Sequence, residues 1–477
     1  MKHSTIFSVR QIDYGILLSY YAKKEEIIMY ETTTLKEKYV LMLKMIVPIL
    51  VTQVAIYLIS FFDILMSSRY GTTDLAGVSI GSSIWMPVYT GLSGILLAIT
   101  PIVSQLVGAK KEMDAKKAVQ QGLYVSLLLS AIIFILLLTG IEWMLGNMQL
   151  EASVHKIAKS YIYAMCAGLV PLFLFFVLRC FIDALGKTRV TMIITLLTTP
   201  INIFLNYIFI FGKFGVPELG GVGAGVATAI TYWLIFFITV WIVAKRVPFE
   251  SFRIFNEWPK LEWLRWKEIL LIGVPIGLSL FAETSIFSAV TMMMSSFSTE
   301  IIAAHQIALN FTSLLYMVPL SISMGVTILV GFEIGAGRLH GAKVYSYLCV
   351  GTAVMFSFIS ALILFMYREP IARIYSTDVY VLEYAVQFLV FAAIFQLSDA
   401  IQAPVQGALR GYKDVTITFI MAIISYWVIG LPVGYMLATY TDFGPFGYWI
   451  GLVTGLSAGA ITLSIRLLRV QRKYKVA

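Results

Sequence analysis

Charged residues are scarce in this sequence. Lys, Arg, Asp and Glu together make up 13% of the 477 residues, whereas soluble domains carry about 25%. Hydrophobic residues reach 59%, so composition excludes an ordinary soluble domain and indicates an integral membrane protein. The net charge of +9 does not indicate nucleic-acid binding, because the basic residues lie in short gaps between apolar runs.

Cysteine is also scarce, and motifs for nucleotide binding and metal-dependent hydrolysis are missing. The three cysteines, Cys166, Cys180 and Cys349, lie in or beside apolar segments without C-x-x-C spacing. They indicate packing roles, with neither a disulfide framework nor a metal site. The sequence has no P-loop and no HExxH motif. We therefore predict no enzyme activity and no cofactor, and we expect an ion gradient to supply energy.

Long apolar runs are abundant. Twelve windows of about 20 apolar residues, the length that crosses ~30 Å of hydrocarbon, predict twelve transmembrane helices. These windows lie near residues 42–67, 77–107, 118–141, 160–184, 190–212, 221–245, 267–296, 302–332, 342–366, 380–407, 415–439 and 445–469. Because the number is even, both ends of the chain lie on the same side of the membrane.

Basic and acidic residues divide between the two sets of short loops. The base-rich loops contain Lys110, Lys111, Lys116, Lys117, Lys187, Arg189, Lys245, Arg246, Arg253, Lys260, Arg265, Lys267, Arg338, Lys343, Arg410, Lys413 and a basic tail over 466–475. The opposite loops contain Glu142, Glu151, Glu218, Glu300, Asp378 and Asp442. By the positive-inside rule, both termini are predicted to be cytoplasmic.

The first 28 residues differ in character from the rest of the chain. Their apolar patch YGILLSYY is too short to span a bilayer. The residues Lys24-Glu25-Glu26 shortly before Met29 can be encoded by a purine-rich ribosome-binding sequence. We therefore predict that the native protein starts at Met29, and that residues 1–41 of the chain as given form a cytoplasmic segment.

The sequence also repeats itself. Val274-Pro275 lies 227 residues after Val47-Pro48 (274 − 47 = 227), and Gly335-Ala336 follows Gly108-Ala109 at the same interval. Two six-helix halves of equal orientation are parallel repeats about an axis along the membrane normal. We predict a first lobe over 42–245, a cytoplasmic linker over 246–266, a second lobe over 267–469, a tail over 470–477, and a central cleft between the lobes.

Three acidic residues lie inside apolar segments: Glu283 in the seventh predicted helix, Asp399 in the tenth and Asp63 in the first. A charge at bilayer depth costs roughly 2.5–3.5 kcal/mol on insertion scales, so such residues indicate function by default. Two carboxylates can coordinate Na⁺ through their oxygens or exchange protons. The structural alternatives are a protonated core acid for Glu283 and interhelical hydrogen bonding for Asp399.

Several motifs carry a resemblance to a known family. The segments FFDILMSS (61–68), PINIFLNYIFIFG (200–212), PIGLSLFAET (275–284), AAHQIALNF (303–311) and SDAIQAPVQGALRGYKD (398–414) resemble the multidrug and toxic compound extrusion (MATE) transporters of the NorM branch. The resemblance extends from about Leu35 onward. It implies an all-α fold with twelve transmembrane helices in two parallel six-helix repeats. It also implies export of cationic amphiphilic drugs from a bacterial cell in exchange for Na⁺ or H⁺.

The resemblance also implies functional residues. The family carboxylates that match Glu283 and Asp399 form a cation site, Na⁺ being the metal ion concerned. The residues that match Asp63, Asn202 and Asn206 form a polar cluster for substrate or proton coupling. The chain departs from the family at Phe395, because a tyrosine can stand four residues before the second acid, so Na⁺ and H⁺ both stay open. The candidates for the cleft wall are Phe395, Gln396, Gln306, Asn310 and Met293.

Structural roles and a second transport function are alternatives for these candidates. Asn202 and Asn206 suit structural hydrogen bonding between helices nearly as well, and Arg179 and Asp183 fit a salt bridge near a helix end. Within transport, the rival is a lipid-linked oligosaccharide flippase of the same superfamily, which would need a basic cavity for pyrophosphate. The expected partners are drugs or toxic organic cations, the coupling ion and the lipid bilayer, with the protein acting as a monomer.

Overall fold

The chain folds entirely into helices joined by short turns, as a computed structural model shows for residues 29–148 and 150–476. The α-helices are α1 (Leu35–Tyr70), α2 (Thr72–Leu96), α3 (Ile99–Gly108), α4 (Glu112–Gly146), α5 (Ala152–Cys166), α6 (Leu169–Ala184), α7 (Thr188–Phe211), α8 (Gly221–Lys245), α9 (Trp263–Met294), α10 (Thr299–Gly335), α11 (Leu339–Tyr375), α12 (Val379–Gly411), α13 (Thr416–Ile423), α14 (Leu431–Tyr440) and α15 (Pro445–Val476). A 3-10 turn covers Phe249–Phe252, and a π-helical segment, Ile424–Gly430, joins α13 to α14. The predictions for residues 1–28 lie outside the described residues.

The described residues contain twelve candidate membrane spans, as predicted, when one bent pair of helices is counted as a single span. Eleven are long apolar helices, counting α2 with α3 as one and α13 with α14 as one. The twelfth is the pair α5 and α6, which is bent by 49°. The bend lies just before Pro171, whose missing N–H and bulky ring oppose a straight continuation of α5. The prediction of an all-α membrane fold is therefore confirmed.

We call α1–α8 the first lobe and α9–α15 the second lobe. They meet where α2 packs on α9 and where α1 and α3 pack on α10. Glycines permit this approach: a Cβ atom at Gly335 would overlap the carbonyl oxygen of Gln105, and one at Gly273 would overlap that of Ile95. In membranes, small residues let helix backbones approach closely, so these glycines set the distance between the lobes.

Polar contacts between the lobes lie on the side of the membrane that carries residues 29–34 and 470–476, here called the terminus side. Gln105 donates from Nε2 to the carbonyl oxygen of Gly411 at 2.8 Å. Arg265 Nη2 lies 2.8 Å from Asp114 Oδ1. The linker is held to α4, because Gln120 Nε2 donates to the carbonyl oxygen of Ile254 at 2.7 Å. The lobes are thus joined on the terminus side.

A buried histidine ties three helices of the second lobe together. His305 of α10 is fully buried. Its Nδ1 accepts from the indole Nε1 of Trp449 in α15 at 3.1 Å, and its Nε2 lies 3.0 Å from Thr291 Oγ1 in α9. Because the indole can only donate, Nδ1 is the acceptor and Nε2 carries the proton. This arrangement satisfies both ring nitrogens and makes His305 a structural residue.

Replacing His305 by Ala should therefore lower stability without touching the central cavity. The change leaves the buried Trp449 N–H without its partner, which costs about 1–3 kcal/mol. We expect a lower unfolding temperature of the purified protein in detergent. Gln306→Ala at the neighbouring exposed position is the matched control and should unfold like the wild type. Equal unfolding temperatures for His305→Ala and wild type would contradict this role.

Candidate functional site

A cavity of about 230 Å³ lies between the lobes. Its wall is formed by Gln53, Tyr89, Thr90, Ser93, Gly94, Leu97, Phe176, Arg179, Leu280, Glu283, Thr284, Phe287, Tyr316, Leu320, Met324, Tyr426 and Leu456. Several of these positions form pairs separated by 227 residues: Gln53 and Leu280, Tyr89 and Tyr316, Ser93 and Leu320, Leu97 and Met324. The repeat found in the sequence therefore lines both halves of one cavity.

Polar residues continue the cavity-lining face of α10 away from the terminus side. Leu320 and Met324 line the cavity from α10, and Gln306, Asn310 and Ser313 lie on the same face of that helix at 3.6-residue periodicity. All three polar residues are exposed. Polar side chains at this depth are favourable when they face a water-filled opening rather than lipid. Gln306 and Asn310 therefore lie on the face of α10 that lines the cavity at Leu320 and Met324, and their place on a cleft wall stays a prediction.

Three other candidates pack within the second lobe and do not line the cavity. Phe395 is buried against Phe287 and Trp449, with ring centroids 5.8 Å and 6.3 Å apart. Gln396 is buried and accepts from Ser360 Oγ at 3.1 Å, between α11 and α12. Met293 packs against the apolar core of the second lobe. None of the three lines the cavity, and the predictions for Phe395 and Gln396 were wrong because both side chains are buried between helices.

Glu283 is the carboxylate of the cavity wall. It lies on α9, is only partly buried, and accepts a hydrogen bond at Oε1 from Gln406 Nε2 of α12. Among the described residues that line the cavity, it is the one acid. Its neighbours on the wall are Leu280, Thr284 and Phe287. A cation entering the cavity therefore meets this carboxylate in largely apolar and aromatic surroundings.

Asp399 lies on the same face of α12 as Gln402 and Gln406, at i, i+3 and i+7 spacing. It is partly buried and within electrostatic range of Glu283. None of the hydrogen bonds and salt bridges seen among the described residues involves its side chain. The two predicted carboxylates, on α9 and α12, are thus within electrostatic range of each other, and they repel each other when both are charged unless a cation or proton lies between them.

The structure corrects the place of Arg410. The sequence assigned it to a base-rich loop, but it is buried in the last turn of α12. Its Nη2 donates to Ser323 Oγ of α10 at 2.9 Å, and it lies within electrostatic range of Glu283. Its charge therefore belongs to the surroundings of the carboxylates. The loop assignment failed because hydropathy windows do not resolve the last turn of a helix.

The first lobe contains a second, closed polar cluster. Asp63 of α1 is buried, and its Oδ1 accepts from Asn206 Nδ2 at 2.6 Å while Oδ2 accepts from Thr228 Oγ1 at 2.9 Å. Asn206 Nδ2 also lies 3.2 Å from Asn202 Oδ1, and Asn202 donates to Thr228 and Thr231. The three residues that the sequence predicted as a cluster, Asp63, Asn202 and Asn206, are therefore in contact. Both oxygens of the Asp63 carboxylate accept hydrogen bonds, and the cluster is not part of the cavity wall.

Arg179 was treated in the sequence as a salt-bridging residue near a helix end. Its Nε does lie 3.5 Å from Asp183 Oδ2. However, Arg179 is buried, lines the central cavity and donates from Nη2 to Gln53 Oε1 at 3.0 Å. Sequence reasoning also missed Tyr316 and Tyr426 on the wall. The 227-residue pairing of Tyr89 with Tyr316 is the signal that could have found one of them.

The residues present fit a small hard cation better than a structural metal. Among residues 29–148 and 150–476, no cluster of three or more His, Cys, Asp and Glu side chains could hold a metal ion. Oxygen donors are available, because the carboxylate of Glu283 lies on the cavity wall and that of Asp399 is within electrostatic range of it. Oxygens of this kind suit a hard cation that binds and leaves again.

Comparison with known proteins places the chain in a family. A family model described as MatE matches residues 48–208 and 275–436, once in each half. The chain is similar to the probable multidrug resistance protein NorM of Oceanobacillus iheyensis, with 52% identity over 447 residues, 93% of this chain and 100% of the relative. A relative of the same name in Bacillus licheniformis is 54% identical over 446 residues, 94% of this chain and 99% of the relative.

Solved structures show the same fold. The eukaryotic MATE transporter AtDTX14 is similar with a TM-score of 0.83 at 20% identity, covering 92% of this chain and 98% of that one. The MATE transporter VcmN of Vibrio cholerae in its bent form has a TM-score of 0.83 at 19% identity, with coverage of 92% and 98%. From the twice-matched family model and these relatives, the chain belongs to the MatE family of multi-pass membrane transporters.

Proposed function

We propose that this protein is a secondary multidrug antiporter, which exports cationic amphiphilic compounds in exchange for Na⁺ or H⁺. The observation that carries this proposal is the central cavity, where the carboxylate of Glu283 stands among aromatic and apolar side chains. Aromatic faces attract organic cations, and methionine adapts to ligands of different shape. The NorM relatives, which are named as probable multidrug resistance proteins, support the same assignment.

The two lobes provide the alternating access that an antiporter needs. We take 42–245 and 267–469 as the moving units and 246–266 as their linker. Hydrogen bonds and glycine contacts join the lobes on the terminus side, while Gln306, Asn310 and Ser313 are exposed on the other side. With the base-rich loops in the cytoplasm of a bacterial cell, this conformation is open to the outside. Separation of the terminus-side contacts would expose the cavity to the cytoplasm.

The two carboxylates of the second lobe, Glu283 and Asp399, couple ion entry to drug release. A cation bound between Glu283 and Asp399 removes their mutual repulsion, so it favours the arrangement in which α9 and α12 are close. A cationic drug at Glu283 competes for the same charge. Each ligand shifts the equilibrium only by its differential affinity for the two states. Ion entry therefore promotes drug release, and drug binding promotes ion release.

A flippase for lipid-linked oligosaccharides is less well supported. Recognition of pyrophosphate needs several basic groups. Among the described residues of the cavity wall, Arg179 is the one base, and it is paired with Asp183 and Gln53. The acidic character of Glu283 therefore favours a cationic drug as the cargo.

Efflux from proteoliposomes tests the proposal. The purified protein should expel a fluorescent cationic dye when a Na⁺ gradient or a pH gradient is imposed, each in the absence of the other. We expect uphill efflux with at least one gradient and none when both are collapsed. Efflux that persists without any ion gradient, or that requires ATP, would contradict the proposal.

A further inference from the structure

Phe395 cannot supply an oxygen ligand to the ion site proposed at Glu283 and Asp399. It lies one turn before Asp399 and has no hydroxyl group, and its ring packs edge-on against Phe287 and Trp449. Two carboxylates, Glu283 and Asp399, are few ligands for a hard cation, which takes six or more oxygens in well-defined sites, including waters. Another neutral oxygen near both acids is therefore expected.

Tyr426 brings such an oxygen to the site from a different helix. It belongs to the π-helical segment Ile424–Gly430 and lines the cavity together with Glu283. It lies within electrostatic range of both Glu283 and Asp399. Its hydroxyl oxygen accepts a hydrogen bond from Nε2 of Gln402, which is one turn after Asp399. The tyrosine hydroxyl is thus held by α12, the helix that carries Asp399, and Tyr426 shares the cavity wall with Glu283.

The π-helical segment keeps Tyr426 in this position. Trp427 Nε1 donates to the carbonyl oxygen of Ala282 at 3.2 Å, and Ala282 directly precedes Glu283. On the other side, Gly430 packs against the backbone of Gly451 and Gly455 in α15. Such π-helical insertions occur frequently at functional sites because they redirect side chains around the helix. The segment therefore couples the position of Tyr426 to the part of α9 that carries Glu283.

We propose that the hydroxyl oxygen of Tyr426 is a ligand of the coupling Na⁺, together with Glu283 and Asp399, in place of the hydroxyl that Phe395 lacks. The bond from Gln402 uses one lone pair of the phenol oxygen and leaves the other for the cation. The site then draws on α9, α12 and the π-helical segment. This inference rests on the proposed antiport and names Na⁺ as its ion.

Equilibrium binding of ²²Na⁺ to the purified full-length protein tests this assignment apart from transport. Tyr426→Phe removes only the hydroxyl and should weaken Na⁺ binding by about tenfold or more. Tyr435→Phe, at an exposed position of α14 outside the cavity wall, is the matched control and should bind like the wild type. The double variant Tyr426→Phe with Phe395→Tyr returns a hydroxyl near Asp399 and should recover most of the affinity.

A second variant keeps the test decisive if Tyr426→Phe is poorly folded. Gln402→Met removes the hydrogen bond that holds the hydroxyl but leaves Tyr426 in place, and it should weaken Na⁺ binding by a few fold. Na⁺ affinity equal to wild type in both Tyr426→Phe and Gln402→Met overturns the role of Tyr426, while the antiport proposal stands. A wild-type protein that binds no Na⁺ but drives efflux with a pH gradient also overturns it. A wild type that does neither overturns the proposed function itself.

Discussion

Glu283→Gln is expected to reduce gradient-driven efflux to the background of protein-free liposomes. The substitution keeps the shape of the side chain and an oxygen that can accept from Gln406, so the fold should be retained. It removes the charge that attracts a cation or binds a proton in the cavity wall. Without that charge, the ion has no differential affinity for the two states of the transporter and cannot shift their equilibrium.

The measurement is dye efflux from proteoliposomes under imposed Na⁺ and pH gradients, with protein content equalised. Asp399→Asn should have the same effect, because the second carboxylate is needed to make binding of the ion favourable. Glu383→Gln, at an exposed position of α12, is the matched control and should transport like the wild type. If Glu283→Gln and Asp399→Asn both retain uphill efflux at wild-type rates, the second-lobe site is wrong. Asp63 of the first-lobe cluster then becomes the leading candidate.

Gly335→Ala should nearly abolish transport because it disturbs the contact between the lobes and leaves the carboxylates unchanged. A Cβ atom at this position would overlap the backbone carbonyl oxygen of Gln105 in the opposite lobe, and backbone has little freedom to move aside. Overpacking of this kind typically costs about 1–3 kcal/mol, occasionally more. The contact exists only when the lobes are joined on the terminus side, so the substitution penalises this conformation and favours the opposite one.

Thiol labelling can detect this change. Ser104 is fully buried at the lobe interface, close to Gly331, so a cysteine placed there should label slowly in a background without the native cysteines. When Gly335→Ala is added, the labelling rate of the cysteine at position 104 should increase and the efflux rate should fall. Gly351→Ala is the control, because a Cβ atom there meets nothing within 4 Å. Wild-type labelling and wild-type efflux in Gly335→Ala would refute the gating role of this contact.

The number of membrane spans and their helical type were predictable from the sequence, although three spans in the described residues are each divided into two helices. The thickness of the bilayer requires about 20 apolar residues per span, and this long-window signal is strong enough to place all twelve. The 227-residue repeat was equally visible, because packing glycines and prolines recur where two halves have the same backbone path. Glu283, Asp399 and Asp63 were detectable because a charge inside an apolar segment is costly.

Which side chains face one another depends on how the helices pack. A helix window does not reveal its rotation about its own axis, so Gln396 and Met293 were assigned to a wall that they do not reach. Arg410 and Tyr426 join the surroundings of Glu283 from positions more than 120 residues away in the chain. Their approach depends on helix packing and on the π-helical segment at Ile424–Gly430. The membrane spans, the repeat and the acids inside apolar segments are therefore properties of the sequence alone, whereas the cavity and the residues around its carboxylates exist only once the two lobes have packed together.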